Sequence, residues 1–165
     1  MSHDEIDAAL ADFAANISKN TRGDAPFVAL QHLARRLIGA NLFTILTVDM
    51  QNQVYRRQFT SNPAIYPVSG TKAIDYNRWF DIVCKERKSF IANSIAEIAT
   101  LFRDHATISS LGYGSVINIP VVVDGELLGT VNCTDVEGHY TPAKVALSRH
   151  LDLPAKLAFT LAKDA

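Results

Sequence analysis

The chain has 165 residues, 48% of them hydrophobic and 20% charged, with a formal net charge of −1. That length suits one domain with its own core, and the balanced charge excludes the dense basic face that nucleic acid or an anionic membrane would need. The N-terminus MSHDEIDAAL has neither the basic start nor the long apolar run of a secretory signal. No apolar stretch approaches the roughly 20 residues that span a bilayer. The expectation is a cytoplasmic protein that engages neither nucleic acid nor membrane.

The two cysteines, Cys84 and Cys133, form no CxxC and no framework spacing. Free buried thiols fit them better than a disulfide does.

Ser2 and Glu5 have capping-box spacing, and Ile6, Leu10, Phe13 and Ile17 recur at helical steps behind them. The polar stretch 18–25 reads as a connector. Asp24 and Pro26 open a second helix carrying Phe27, Leu30, Leu33, Leu37 and Ile38 to a stop at Gly39. Leu42 to Val48 and Val54 to Thr60 read as strands joined at Met50-Gln51-Asn52. Residues 61–71 hold Asn62, Pro63, Pro67 and Gly70 and read as a loop. The spacing of Trp79, Ile82 and Val83 predicts a helix over 75–88. Its end carries Lys85-Glu86-Arg87-Lys88, charges favoured in water near a helix C-terminus. A short strand at 89–92 and helices from Ile95 and from His105 follow. Thr141-Pro142 then starts a last helix that Pro154 is expected to interrupt.

Between these elements lies the most informative segment, LGYGSVINIPVVVDGELLGTVN from Leu111 to Asn132. Asp124-Gly125 between two apolar runs is a strong hairpin signal, because both central positions of a type I′ turn need positive φ. A two-residue turn with no irregularity would set Asn118 opposite Val131 and Val116 opposite Cys133. Alternation would then place Val116, Asn118, Val131 and Cys133 on one face, with Ile117, Thr130 and Asn132 on the other.

The run Gly112-Tyr113-Gly114-Ser115, with Pro120, Gly125, Gly129 and Val131 at their spacing, closely resembles the last hairpin of GAF domains. The resemblance covers Pro26 to Leu161. It implies an α+β fold, a GAF-like central antiparallel sheet with helices on both faces. The corresponding organisation is an N-terminal amphipathic helix and connector over 1–25 and a GAF-like domain over 26–163. The near absence of charge in the two central strands agrees with a sheet covered on both faces.

Asn118 stands out among the valines of its face, since a buried amide costs free energy unless something bonds it. A backbone group or water could satisfy it, or a ligand could. Bilin-binding GAF domains align over this hairpin without gaps, and their ligand-contacting strand positions fall on Val116 and Asn118. The same resemblance implies a pocket roof from Trp79, Phe80, Leu101, Asp104, His105 and Tyr113. By the hairpin parity, Cys133 faces the same pocket. Taken alone, Trp79 reads as core and His105 as a surface or locally satisfied ring.

Specialised readings meet departures. Asp104 stands where bilin photoreceptors carry a cysteine before the histidine, so the covalent link is missing. Cyclic-nucleotide phosphodiesterase GAF domains carry an Asn-Lys-Phe-Asp type signature, of which Asn132 is present but Cys133 replaces the lysine. Cys84 and Cys133 fall outside the cysteine pattern of free methionine-R-sulfoxide reductases. No HxxxH, HExxH or GxSxG spacing occurs, and no metal or cofactor is expected.

The sequence thus points to a sensory or regulatory GAF-like protein that binds an unidentified small organic ligand without transforming it. Its signal would pass through a partner or a homodimer held by the terminal helices. The dimer expectation rests on the Ile6, Leu10, Phe13, Ile17 stripe and on Leu151, Leu153, Leu157, Phe159 and Leu161. Two rivals remain open: a thiol-dependent enzyme using Cys133, and a ligandless dimerisation module.

Overall fold

The capping box at the start of the chain forms as its spacing requires. Glu5 N–H donates to Ser2 Oγ and Ser2 N–H donates to Glu5 Oε2 at 2.7 Å, closing the first turn of α1, His3–Lys19. The computed structural model describes residues 1–68 and 70–163. Its contacts divide these into two compact units, one of terminal helices and one from Asn41 to Thr141.

The helical unit comprises α1, α2 (Ala25–Leu37), α6 (Pro142–Leu147), a 3₁₀ turn over Ser148–Leu151 and α7 (Asp152–Lys163). Asp24 precedes α2 but its carboxylate caps nothing; Pro26 alone marks the start. Ile6, Ala9 and Phe13 are buried as α1 packs on α2, and Asp12 pairs with Arg36. Phe27 meets Phe159 edge to face at 5.5 Å, tying α2 to α7. The last helix does break, at the 3₁₀ turn and not at Pro154. That proline falls in the first turn of α7, where its missing N–H interrupts no bond within the helix. Leu153 and Leu157, one turn apart on α7, stay 74% and 41% exposed.

The second unit holds a six-stranded, fully antiparallel sheet in the order β3-β2-β1-β6-β5-β4. Its strands are β1 (Leu42–Asp49), β2 (Val54–Thr60), β3 (Thr71–Ala73), β4 (Phe90–Ala92), β5 (Ser115–Val123) and β6 (Glu126–Asp135). The edge strand β3 lies at the end of the expected loop. The expected helix over 75–88 is shorter: α3 (Arg78–Phe80) passes into a π-helical turn over Asp81–Lys85. Two short helices, α4 (Ile95–Ala99) and α5 (His105–Ser110), complete the unit.

The central hairpin turns at Asp124 and Gly125, both at positive φ (50° and 75°), as a type I′ turn demands. At the other end, a Cβ on Gly114 would come within 2.8 Å of Glu137 Cβ, so only glycine fits that approach.

The register, however, departs from the expected one. A bulge between Val121 and Val122 leaves Leu128 as an extra residue on β6. Beyond it every β6 partner moves by one: Asn118 stands opposite Asn132, Val116 opposite Thr134, and Ile117 opposite Cys133. The one-residue slip reverses the face of each β6 side chain relative to β5.

Among the described residues, no helix is long and apolar enough to cross a membrane.

Candidate functional site

One face of the sheet and the segments α3 to α5 border a cavity of about 370 Å³ that opens to solvent on one side. Its floor consists of Leu42, Thr44 and Leu46 on β1, Val116 and Asn118 on β5, and Asn132 and Thr134 on β6. These residues come together because the bulge aligns two polar positions of β6 with Val116 and Asn118, while β1 pairs Thr44 with Asn132 and Leu42 with Thr134. Tyr55 and Arg57 line it from β2, Lys72 from β3 and Tyr66 from the preceding loop. Trp79, Leu101, Phe102 and Ile108 supply its apolar lining from the helical side. Asn77 fixes that side: its Oδ1 accepts from Phe80 N–H at 3.1 Å, and its Nδ2 donates to Leu101 O at 3.3 Å.

A chain of side-chain hydrogen bonds crosses the floor. Trp79 Nε1 donates to Asn118 Oδ1 at 2.9 Å, Asn118 Nδ2 donates to Asn132 Oδ1 at 2.8 Å, and Asn132 Nδ2 reaches Thr44 Oγ1 at 3.4 Å. The buried amide of Asn118 is therefore partnered within the protein, which resolves the cost of placing it among valines. Its satisfied orientation leaves the weakly bonded Asn132 amide and the Thr44 and Thr134 hydroxyls as polar groups of the floor.

Charge collects around the cavity: Arg57, Lys72 and Arg103 against Asp75 and Asp104. Arg103 Nη2 lies 3.6 Å from Asp75 Oδ2. The Arg57 guanidinium donates to Pro67 O at 3.2 Å and lies 4.9 Å from the centre of the Tyr66 ring. Burial pushes the Tyr55 and Tyr66 phenols well above the ordinary tyrosine range, and the Asp104 charge adds to the effect on Tyr66. Both phenols stay protonated.

Of the residues expected from sequence, Trp79, Leu101, Asp104, Val116 and Asn118 line this cavity. Phe80 is buried in the neighbouring core and packs edge to face on Tyr76, with ring centres 4.7 Å apart. His105 and Tyr113 are not among the lining residues. His105 Nδ1 sits 2.9 Å from Phe102 O, a local contact within the roof segment, and Tyr113 is half-buried against the adjoining core.

Cys133 requires correction. The bulge turns it to the face opposite the cavity, where it is fully buried. Burial, with the Asp135 charge behind it, pushes its thiol far above the ordinary value, so the nucleophilic thiolate is suppressed. Cys84 is half-buried with Sγ 3.9 Å from Tyr55 OH, and burial raises its pKa too.

Sequence reasoning missed Tyr66, Arg57, Lys72, Thr44 and Thr134, and it placed Asn132 on the opposite face. Polar residues interrupting apolar strands were a usable signal for Thr44, Asn132 and Thr134. Tyr66, in a proline-containing loop, offered none.

The fold is that of GAF domains. The chain superposes on the GAF domain of an Acinetobacter phosphoenolpyruvate-protein phosphotransferase with a TM-score of 0.72 at 11% identity, covering 100% of this chain and 98% of that one. It superposes on the GAF domain of a two-component sensor histidine kinase from Bacillus halodurans at 0.69 and 11% identity, covering 87% and 97%. A segment of a methyl-accepting chemotaxis protein gives 0.67 at 18% identity, covering 96% and 99%. No protein-family model matches the chain, and no curated protein matches it either.

Proposed function

We propose that this chain is a sensory or regulatory GAF-type domain whose cavity binds a small organic molecule without transforming it. The observation that carries the reading is the cavity itself. Its volume of about 370 Å³ lies within the size range of small-molecule sites. An apolar roof, a floor of aliphatic side chains with amides and hydroxyls among them, and charged groups at the side give the mixed lining such sites use. The similar structures include domains from a sensor histidine kinase and a chemotaxis protein, which supports a role in signalling.

The placement of Cys133 supports binding over thiol chemistry. A redox role for Cys133 would need an accessible thiolate, and the thiol is buried, protonated and turned away.

We further propose that the signal passes through self-association on α7. The α1 stripe is covered inside its own chain through Ile6 and Phe13, and Leu151 and Phe159 are buried too. Leu153 and Leu157 form an exposed apolar pair one turn apart on α7, and apolar surface of that kind favours a second copy.

The test uses the sole tryptophan, Trp79, which lines the cavity. Ligand entry should shift its emission in the native protein and fail to do so in Val116→Phe, which narrows the cavity from its floor. Equal shifts in both would place the ligand elsewhere.

A further inference from the structure

We propose that the cavity takes a small zwitterion of the free α-amino acid class, its carboxylate held by Arg57 and Lys72 and its ammonium by Asp104 and the Tyr66 hydroxyl. The proposal rests on the ligand-binding reading above and names the chemistry of the ligand.

Of the five charged side chains lining the cavity, Arg103 and Asp75 lie against each other at 3.6 Å. Arg57, Lys72 and Asp104 make no ion pair among the described residues. The two cations are held near each other by the sheet. Tyr55 on β2 pairs with Lys72 on β3, so Arg57, two residues beyond Tyr55, is the diagonal neighbour of Lys72 on the same face. Like charges so placed repel, and a carboxylate between them relieves the repulsion while accepting from both.

Tyr66 joins these cations to the lone carboxylate. Arg57 lies over its ring, and Asp104 lines the same cavity, its charge adding to burial in keeping the phenol protonated. Yet Tyr66 is only 7% exposed and its hydroxyl has no hydrogen-bond partner among the described residues. A buried hydroxyl left unpaired is unfavourable, and a ligand donor would satisfy it. Charges of opposite sign that make no ion pair among the described residues thus flank one phenol ring. A simple anion would face Asp104, and a simple cation would face Arg57 and Lys72. A molecule carrying both charges a few bonds apart satisfies all three. Its side chain would run over Trp79 and Leu101 toward the Thr44 and Asn132 end of the floor.

The experiment titrates the standard L-amino acids, one at a time up to about 5 mM, into the full chain while recording Trp79 emission and thermal unfolding. The best binder is then compared with its amide, which lacks the carboxylate, and its N-acetyl form, which lacks the ammonium. Each derivative should bind at least about tenfold more weakly. Arg57→Gln should abolish discrimination against the amide, and Asp104→Asn discrimination against the N-acetyl form. Tyr66→Phe should weaken binding without lowering unfolding temperature in the absence of ligand. Derivatives that bind as tightly as the parent would overturn the proposal. So would a ligand of another charge type, titrated or retained in the cavity, although the sensor reading would then stand. A protein that is purified empty and binds nothing would overturn both.

Discussion

Asn118 and Asn132 face each other across β5 and β6, and the Asn118 amide donates to the Asn132 carbonyl at 2.8 Å. With Trp79 Nε1 on the other side of Asn118, this pair fastens the cavity floor to the helix that flanks it. Asn118→Ala removes the acceptor of the indole and the donor to Asn132 at once. It should lower the unfolding free energy by about 1–3 kcal/mol in urea, because two polar partners lose their bonds in a water-poor site. A residue serving only as a ligand anchor would leave the unliganded stability unchanged.

A second buried hydroxyl gives the opposite sign. Thr130 is fully buried, and its Oγ1 has no hydrogen-bond partner among the described residues. Thr130→Val replaces that hydroxyl with a methyl of similar size and should raise stability by about 1 kcal/mol, read from the denaturation midpoint at unchanged m. A loss of stability would mean that the hydroxyl is bonded.

The hairpin shows where the sequence was legible and where it was not. Asp124-Gly125 announced the turn, because few residue pairs accept positive φ at both positions. The capping box, α2 and strands β1 and β2 were equally plain from periodicity. Leu128 carries no mark of a bulge, being one leucine among apolar neighbours, yet it decides that Asn132 and Thr134 face the cavity and Cys133 does not. The edge strand β3 is three residues long and follows a loop whose prolines dominate its composition. Arg57, Tyr66 and Lys72 meet only through that edge pairing and loop. Their proximity is tertiary, and no local pattern encodes it.

The thiols separate by access. Cys133 is fully buried and Cys84 is half-buried. In the native protein a thiol reagent should modify Cys84 slowly and leave Cys133 unmodified until urea unfolds the chain, as read by intact mass. Rapid modification of Cys133 would contradict its placement.

Alkaline pH should weaken the fold through the same residue. Burial raises the folded pKa of Cys133 above the value the unfolded chain has, near about pH 9. A group with a raised folded pKa contributes stability that is fully present below its unfolded pKa and is lost as pH climbs past it, at up to about 1.4 kcal/mol per pH unit. Buried Tyr55 and Tyr140 act in the same direction from about pH 10. Cys133→Ala should therefore show a shallower decline between about pH 9 and 10 than the native protein. Identical slopes would contradict the assignment.

Self-association makes its own demand. Leu153→Glu with Leu157→Glu places two charges on the exposed face of α7 and should convert a dimer to a monomer in light scattering at tens of micromolar, with the helical signal retained. A native protein that is already monomeric at that concentration would contradict the dimer proposal, and a double mutant still dimeric would move the interface off α7.

The central claim, that the cavity exists to hold a small molecule, is tested most directly by native mass spectrometry of the purified protein before and after denaturation. The account predicts a mass excess on the folded chain that disappears on unfolding, together with a released small organic molecule, and predicts that Val116→Phe carries none. A folded chain at its bare sequence mass, still empty after exposure to small-molecule extracts, would contradict it.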